Sequence, residues 1–217
     1  MPMLQTSSAV ATPRNIELQW ALVRLFVRSV AMGVLPPQSL HAPAPQAVAA
    51  LLKTLGRSGL LRLAVVNLAP LLRQAPAELD AETARRMTIE LEKVNDALDE
   101  SPSPATEWAA LRGTLGDTLL AALVGVSDAS LRRYAGGQRE TPQKVAERLH
   151  WLALVVGDLA GSYNAFGIRR WFERPRQQLA GRSPRTTLGP DWSVDDAQTA
   201  QVKSLAEALV GASPLAA

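Results

Sequence analysis

Apolar side chains recur at intervals of three and four along this 217-residue chain, the spacing of one face of a helix. The expected fold is therefore all-α. The first such stretch runs from Ile16 to Gly33. Ile16, Trp20, Val23, Val27 and Val30 form its stripe, Leu22, Leu25 and Phe26 widen it, and Asn15 stands where an N-cap belongs. A face this wide is either buried in its own domain or shared with a second copy of the chain. A proline-rich linker over 35–46 follows, then apolar helices over 47–55 and 60–72. Gly56–Gly59 separates the two, and Pro70 ends or bends the second. Pro76 comes next. Asp80 then caps a helix reaching Leu98, with Glu82 near the positive end of its dipole. Met87, Leu91, Val94 and Leu98 point inward on that helix; Glu90, Glu92, Lys93, Asp96 and Asp99 face water. Ser101–Pro104 reads as a second linker and a domain boundary.

Beyond that boundary a short helix from Glu107 to Leu115 covers the most informative stretch, Asp117 to Tyr134. Leu120, Ala121 and Val124 face inward on a first helix, and Gly125 takes the turn, where only glycine accepts positive φ without strain. Val126 plugs the angle, Ser127 caps a second helix, and Leu131 and Tyr134 point back at the first. This is the pattern of a helix-turn-helix, whose second helix enters the DNA major groove. Ser127, Asp128, Ser130, Arg132 and Arg133 are left outward, and Arg139 follows in the loop after Gly136 and Gly137. Guanidinium groups there can fork onto guanine or grip phosphate. The competing reading is a tight helical corner with solvated arginines.

Thr141 then caps a helix with Pro142 first and Lys144 third, extending to about Leu159. Val145, Leu149, Leu152, Val156 and Leu159 make its stripe, beside Trp151 and Val155. Arg148 on this helix reads as a phosphate contact or as an ion-pair partner. In 161–184, Phe166, Ile168, Trp171, Phe172 and Leu179 alternate with Arg169, Arg170, Arg174 and Arg176. The helical spacing of the rings favours core packing over base stacking. Asp191, Asp195 and Asp196 precede a last helix ending near Val210, with Val194, Val202, Leu205, Ala206 and Leu209 on its apolar side; 211–217 is expected to be loose.

Composition narrows the chemistry. There is no cysteine, which excludes disulfides, thiolate metal sites and Cys nucleophiles, and only His41 and His150 are available, so a histidine metal cluster or a hydrolase triad is poorly supplied. No carboxylate pair emerges from the spacing. The expectation is no enzyme, no cofactor and no metal. The most apolar run, Ile16 to Val34, is broken by Arg24 and Arg28, and the first residues lack a signal pattern, so a cytoplasmic protein is the default. Net charge is +3, unevenly spread. Residues 105–185 hold 12 Lys and Arg against 7 Asp and Glu, whereas 186–217 hold 1 against 4. The positive charge thus sits with the helix-turn-helix, and binding to phosphate through it should weaken with salt.

The second half of the chain resembles the antitoxins of the Xre/MbcA/ParS group, partners of RES-domain toxins. The resemblance rests on the order LLAALVGVSDASLRRYAGGQRETP, VAERLHWLALVVGDL, WFERPRQQLAGRSP and an acidic, Ala-rich terminal helix. The linkers and composition divide the first half into a disordered N-terminal arm (1–14) and a helical domain over 15–100 whose role is unassigned, dimerisation being one option; in the second half the resemblance implies a DNA-binding domain over 105–160 and a C-terminal toxin-binding-like segment over 161–217. The resemblance also implies a homodimer or larger assembly that binds double-stranded operator DNA and neutralises an NAD-degrading RES-domain toxin. Trp192, Asp195, Asp196, Lys203 and Leu209 would contact that toxin. The alternative is a protein-interaction module using the helix-turn-helix only as scaffold.

Overall fold

The computed structural model describes residues 15–36, 53–54, 68 and 79–211. The expectations for the N-terminal arm, His41, most of the first linker, the helices over 47–55 and 60–72, Pro70, Pro76 and the last residues lie outside these. Among the described residues the regular structure is all-helical. α1 is Ile16–Ala31, α2 Ala81–Asp99, α3 Pro104–Leu115, α4 Asp117–Val124, α5 Asp128–Ala135, α6 Gln143–Ala160, α7 Ala165–Glu173, α8 Pro184–Leu188 and α9 Ala197–Gly211.

α2 follows its sequence pattern. The Asp80 carboxylate accepts the Thr83 N–H at 2.9 Å, which satisfies one of the donors a helix start leaves open. Met87, Leu91, Val94 and Leu98 are buried together with Ala84 and Asn95. α1 departs from its pattern in two ways. Asn15 adopts a left-handed conformation (φ 62°), and its side chain donates to the Leu79 carbonyl at 2.8 Å instead of capping. The buried face carries Leu18, Ala21, Leu22, Leu25 and Ser29, not the expected stripe; Val23 is 43% exposed. The helix offers two apolar faces, and the leucine face is the one that packs on α2 and α6.

α6 is the axis of the molecule. Every residue from Arg148 to Leu159 is buried, on all sides of the helix. A helix that is enclosed all round must be surrounded by others, and α1, α3, α7 and α9 all pack on it. At Gly157 a Cβ would meet Cα and Cγ of Arg28 at 3.4 Å, so the missing side chain lets α1 lie close. Residues 100–103 separate α2 from α3, Pro104 being already the first residue of α3 and not part of the linker, and the buried apolar residues on the two sides form one cluster.

Candidate functional site

The stretch read as a helix-turn-helix is built from α4, a three-residue turn and α5. Gly125 ends α4 in the left-handed region at φ 75°. The N–H groups of Gly125 and Val126 both return to the Ala121 carbonyl at 3.0 Å, closing the helix. Ser127 Oγ accepts the Ser130 N–H at 3.2 Å and caps α5. Leu120, Ala121, Val124, Leu131 and Tyr134 are buried, and Val126 packs against the same core. Tyr134 stacks on Trp108 of α3, with ring centres 6.1 Å apart. The Trp108 indole donates to Thr141 Oγ1 at 3.0 Å. Thr141 therefore does not cap α6; Pro142 holds that position without a side-chain bond.

Ser127, Asp128, Arg132, Arg133 and Arg139 are exposed, whereas Ser130 is half-buried and accepts a hydrogen bond from the Ser127 hydroxyl at 3.1 Å. Arg133 Nε donates to the Ala129 carbonyl of its own helix at 3.3 Å. The Arg139 guanidinium lies over the Tyr134 ring, 5.6 Å from its centre, which ties the following loop to α5. At the start of α4, Asp117 accepts two hydrogen bonds from Arg112 at 2.7 and 2.9 Å. Arg112, and to a smaller extent Arg132, hold the Asp117 carboxyl below its ordinary range. α5 thus presents adjacent guanidinium groups to solvent, with a third beside its end.

The residues assigned to a toxin contact separate. Trp192 is 1% exposed; its indole donates to the Leu123 carbonyl at 2.7 Å, and its ring meets Trp151 edge-on at 4.9 Å. It is a core residue, which corrects its assignment as a surface contact. Asp195 is exposed. Asp196 accepts the Ser193 N–H at 2.7 Å and starts α9. Lys203 and Leu209 are half-buried, the first 3.8 Å from Glu207 and the second packed against the core. The aromatic stripe of α7 is also corrected at one position. Ile168, Trp171 and Phe172 are buried, but Phe166 is 63% exposed. Arg176 lies over Trp171 at 4.8 Å, Arg169 donates to the Thr114 carbonyl at 2.7 Å, and Arg185 pairs with Glu173.

Two buried polar clusters were not foreseen. Arg148 makes neither of the expected contacts: it is 5% exposed and bonds only main-chain carbonyls from α4 and from the segment before α9. Near α1, Arg28 pairs with Asp99 of α2 and lies 3.9 Å from Asp158 of α6. Burial pushes the Asp158 carboxyl up to about 6, against the pull of Arg28. His150 Nδ1 is 2.7 Å from Oε1 of Glu107, which is fully buried, and Nε2 is 2.9 Å from the Asp99 carbonyl. The available signal was the placement of Arg148, His150 and Asp158 inside an otherwise apolar helix. None of these groups lines the groove of about 1100 Å³ between α1, α3 and the start of α7, whose walls are mainly Val27, Val30, Ala109, Ala110 and Ile168. Among the described residues, no three His, Asp or Glu converge to hold a metal ion, and no helix is long and apolar enough to cross a membrane. Comparisons with protein families, curated proteins and solved structures found no match.

Proposed function

We propose that this chain is a DNA-binding transcriptional regulator of the antitoxin type. It binds the operator of its own operon as a homodimer or larger assembly and neutralises a RES-type, NAD-degrading toxin. The observation that carries the DNA reading is α5 itself. Leu131 and Tyr134 hold its inner face, Ser127 caps its start, and Arg132 and Arg133 stand exposed on it with Arg139 alongside. Guanidinium forks match the acceptor pair of guanine in the major groove, and each such contact discriminates by about 1–3 kcal/mol. The double variant Arg132→Ala, Arg133→Ala is therefore expected to weaken operator binding by roughly a hundredfold or more, with no change in the unfolding midpoint. A titration of both proteins on the DNA upstream of the gene decides it; equal affinities would remove the reading.

A second reading keeps the paired helices as scaffold and places function in protein contacts. It is supported by Tyr163, 38% exposed at the rim of the apolar groove, by Phe166, 63% exposed on α7, and by exposed Asp195 in the acidic C-terminal part. Large exposed rings and an apolar groove suit a partner surface. The salt dependence of any nucleic-acid binding separates the two. A steep fall with salt supports phosphate contact through the arginines; a flat response supports the scaffold.

A further inference from the structure

The turn between α4 and α5 is held from outside its own two helices. Arg148 Nη1 donates to the Val124 carbonyl at 3.0 Å and to the Pro190 carbonyl at 3.1 Å. Nε donates to the Trp192 carbonyl at 2.7 Å, and Nη2 donates to the same oxygen. The guanidinium also lies over the Trp192 ring, 5.2 Å from its centre. In return, the Trp192 indole donates to the Leu123 carbonyl at 2.7 Å. The last two carbonyls of α4 are thus both taken by groups distant in sequence. A helix leaves its final carbonyls without internal partners, and its C-terminal end favours positive charge. Arg148 meets both needs while tying α6 to α4 and to the segment before α9.

We infer that Arg148 is a positioning residue for α5 as a DNA-reading helix, and that residues 190–192 complete the reading unit. The inference rests on the DNA-binding reading above. α4 and α5 span only eight residues each, so few contacts of their own fix the angle between them. The clamp fixes the end of α4 from which the turn departs. Base-edge contacts demand that angle, whereas attraction to phosphate tolerates a shift. Loosening the clamp should therefore cost sequence discrimination before it costs general affinity. Arg132, Arg133 and Arg139 remain in place throughout, so the number of counterions released stays the same.

The test uses two variants of the full chain. Arg148→Lys keeps the charge but cannot span three carbonyls with one nitrogen; Trp192→Phe removes the indole bond to Leu123 together with part of the ring that packs on Trp151 and Arg148. Amide hydrogen exchange without DNA should accelerate over 123–134 and 190–196 in both, with α2 unchanged. In titrations on the upstream DNA and on a scrambled duplex, at two salt concentrations, the ratio of the two affinities should fall by about tenfold for Arg148→Lys. The salt slope should not move. A purely structural role predicts the opposite pair of results: equal loss on both duplexes and faster exchange throughout the chain. Unchanged exchange over 123–134 would overturn the clamp alone. A parent protein that does not discriminate between the duplexes would overturn the DNA reading, and the positioning role with it, while leaving the exchange result intact.

Discussion

Glu107→Ala is expected to destabilise the protein by about 3–5 kcal/mol, the cost of breaking a buried charged pair from one side. Proton placement explains why. A main-chain carbonyl can only accept, so His150 Nε2 must carry a hydrogen toward Asp99. Nδ1 then faces Oε1 of a fully buried carboxyl at 2.7 Å. Desolvation alone would lower the His150 pKa; the Glu107 carboxylate and the Asp99 carbonyl outweigh it and hold the value above 6.5. Folding therefore favours the protonated ring, which clasps α3 and the end of α2 onto α6. Alanine would leave it buried without its counter-charge. Glu107→Gln keeps a donor for a neutral ring and should lose distinctly less. Urea unfolding of the three proteins measures both effects; an alanine variant within 1 kcal/mol of the parent (about the worth of an ordinary hydrogen bond) would contradict the assignment.

The same cluster sets a pH dependence whose sign follows from linkage. His150 is raised in the folded state, so its contribution is complete below its ordinary 6.5 and is lost as pH climbs through the raised value. Asp158 is raised from 3.8 to about 6, so the folded state also binds that proton more tightly. Its contribution is complete below 3.8 and is lost as pH rises through 6, on the order of 3 kcal/mol in all. Both groups make the protein less stable as pH rises, Asp158 in the acid window and His150 above it. The urea midpoint is accordingly expected to fall between pH 5 and pH 8, and Glu107→Gln should flatten the upper part of that curve.

These buried groups also mark where sequence pattern stops being informative. α2 was legible because its cap, Asp80 to Thr83, and its stripe are local. Gly125 and Ser127 were legible for the same reason: one supplies a left-handed turn, the other an oxygen three residues from its partner. The two lost caps, Asn15 and Thr141, were claimed by groups far along the chain, the Leu79 carbonyl and the Trp108 indole. The rotation of α1 has a related cause, since both of its faces are apolar and the choice is made by α2 and α6. Trp192 enters the expected toxin contact only through the family resemblance, not through any local pattern. Its burial is tied to the Leu123 carbonyl of α4 and to Arg148, which periodicity does not reveal.

Gly125→Ala is expected to be nearly as costly as the loss of Glu107, and its neighbourhood shows why one glycine differs from another. The φ of 75° alone costs an L-residue about 1–2 kcal/mol. The new Cβ would also stand 2.5 Å from Arg148 Nη1 and 2.8 Å from the Pro190 carbonyl oxygen. Neither can retreat freely, because each is bonded to the other at 3.1 Å and the guanidinium is anchored on Trp192. Relieving such a contact typically adds about 1–3 kcal/mol. Gly137 supplies the control: its φ is 67°, yet a Cβ there would meet nothing within 4 Å. Gly137→Ala should show the backbone cost alone, and the difference between the two urea midpoints measures the resistance of the clamp. Equal losses would mean that the Arg148–Pro190 contact yields to a methyl group. A larger loss at Gly125, accompanied by faster amide exchange over 190–196, would place the turn, Arg148 and the segment before α9 in one mechanically coupled unit.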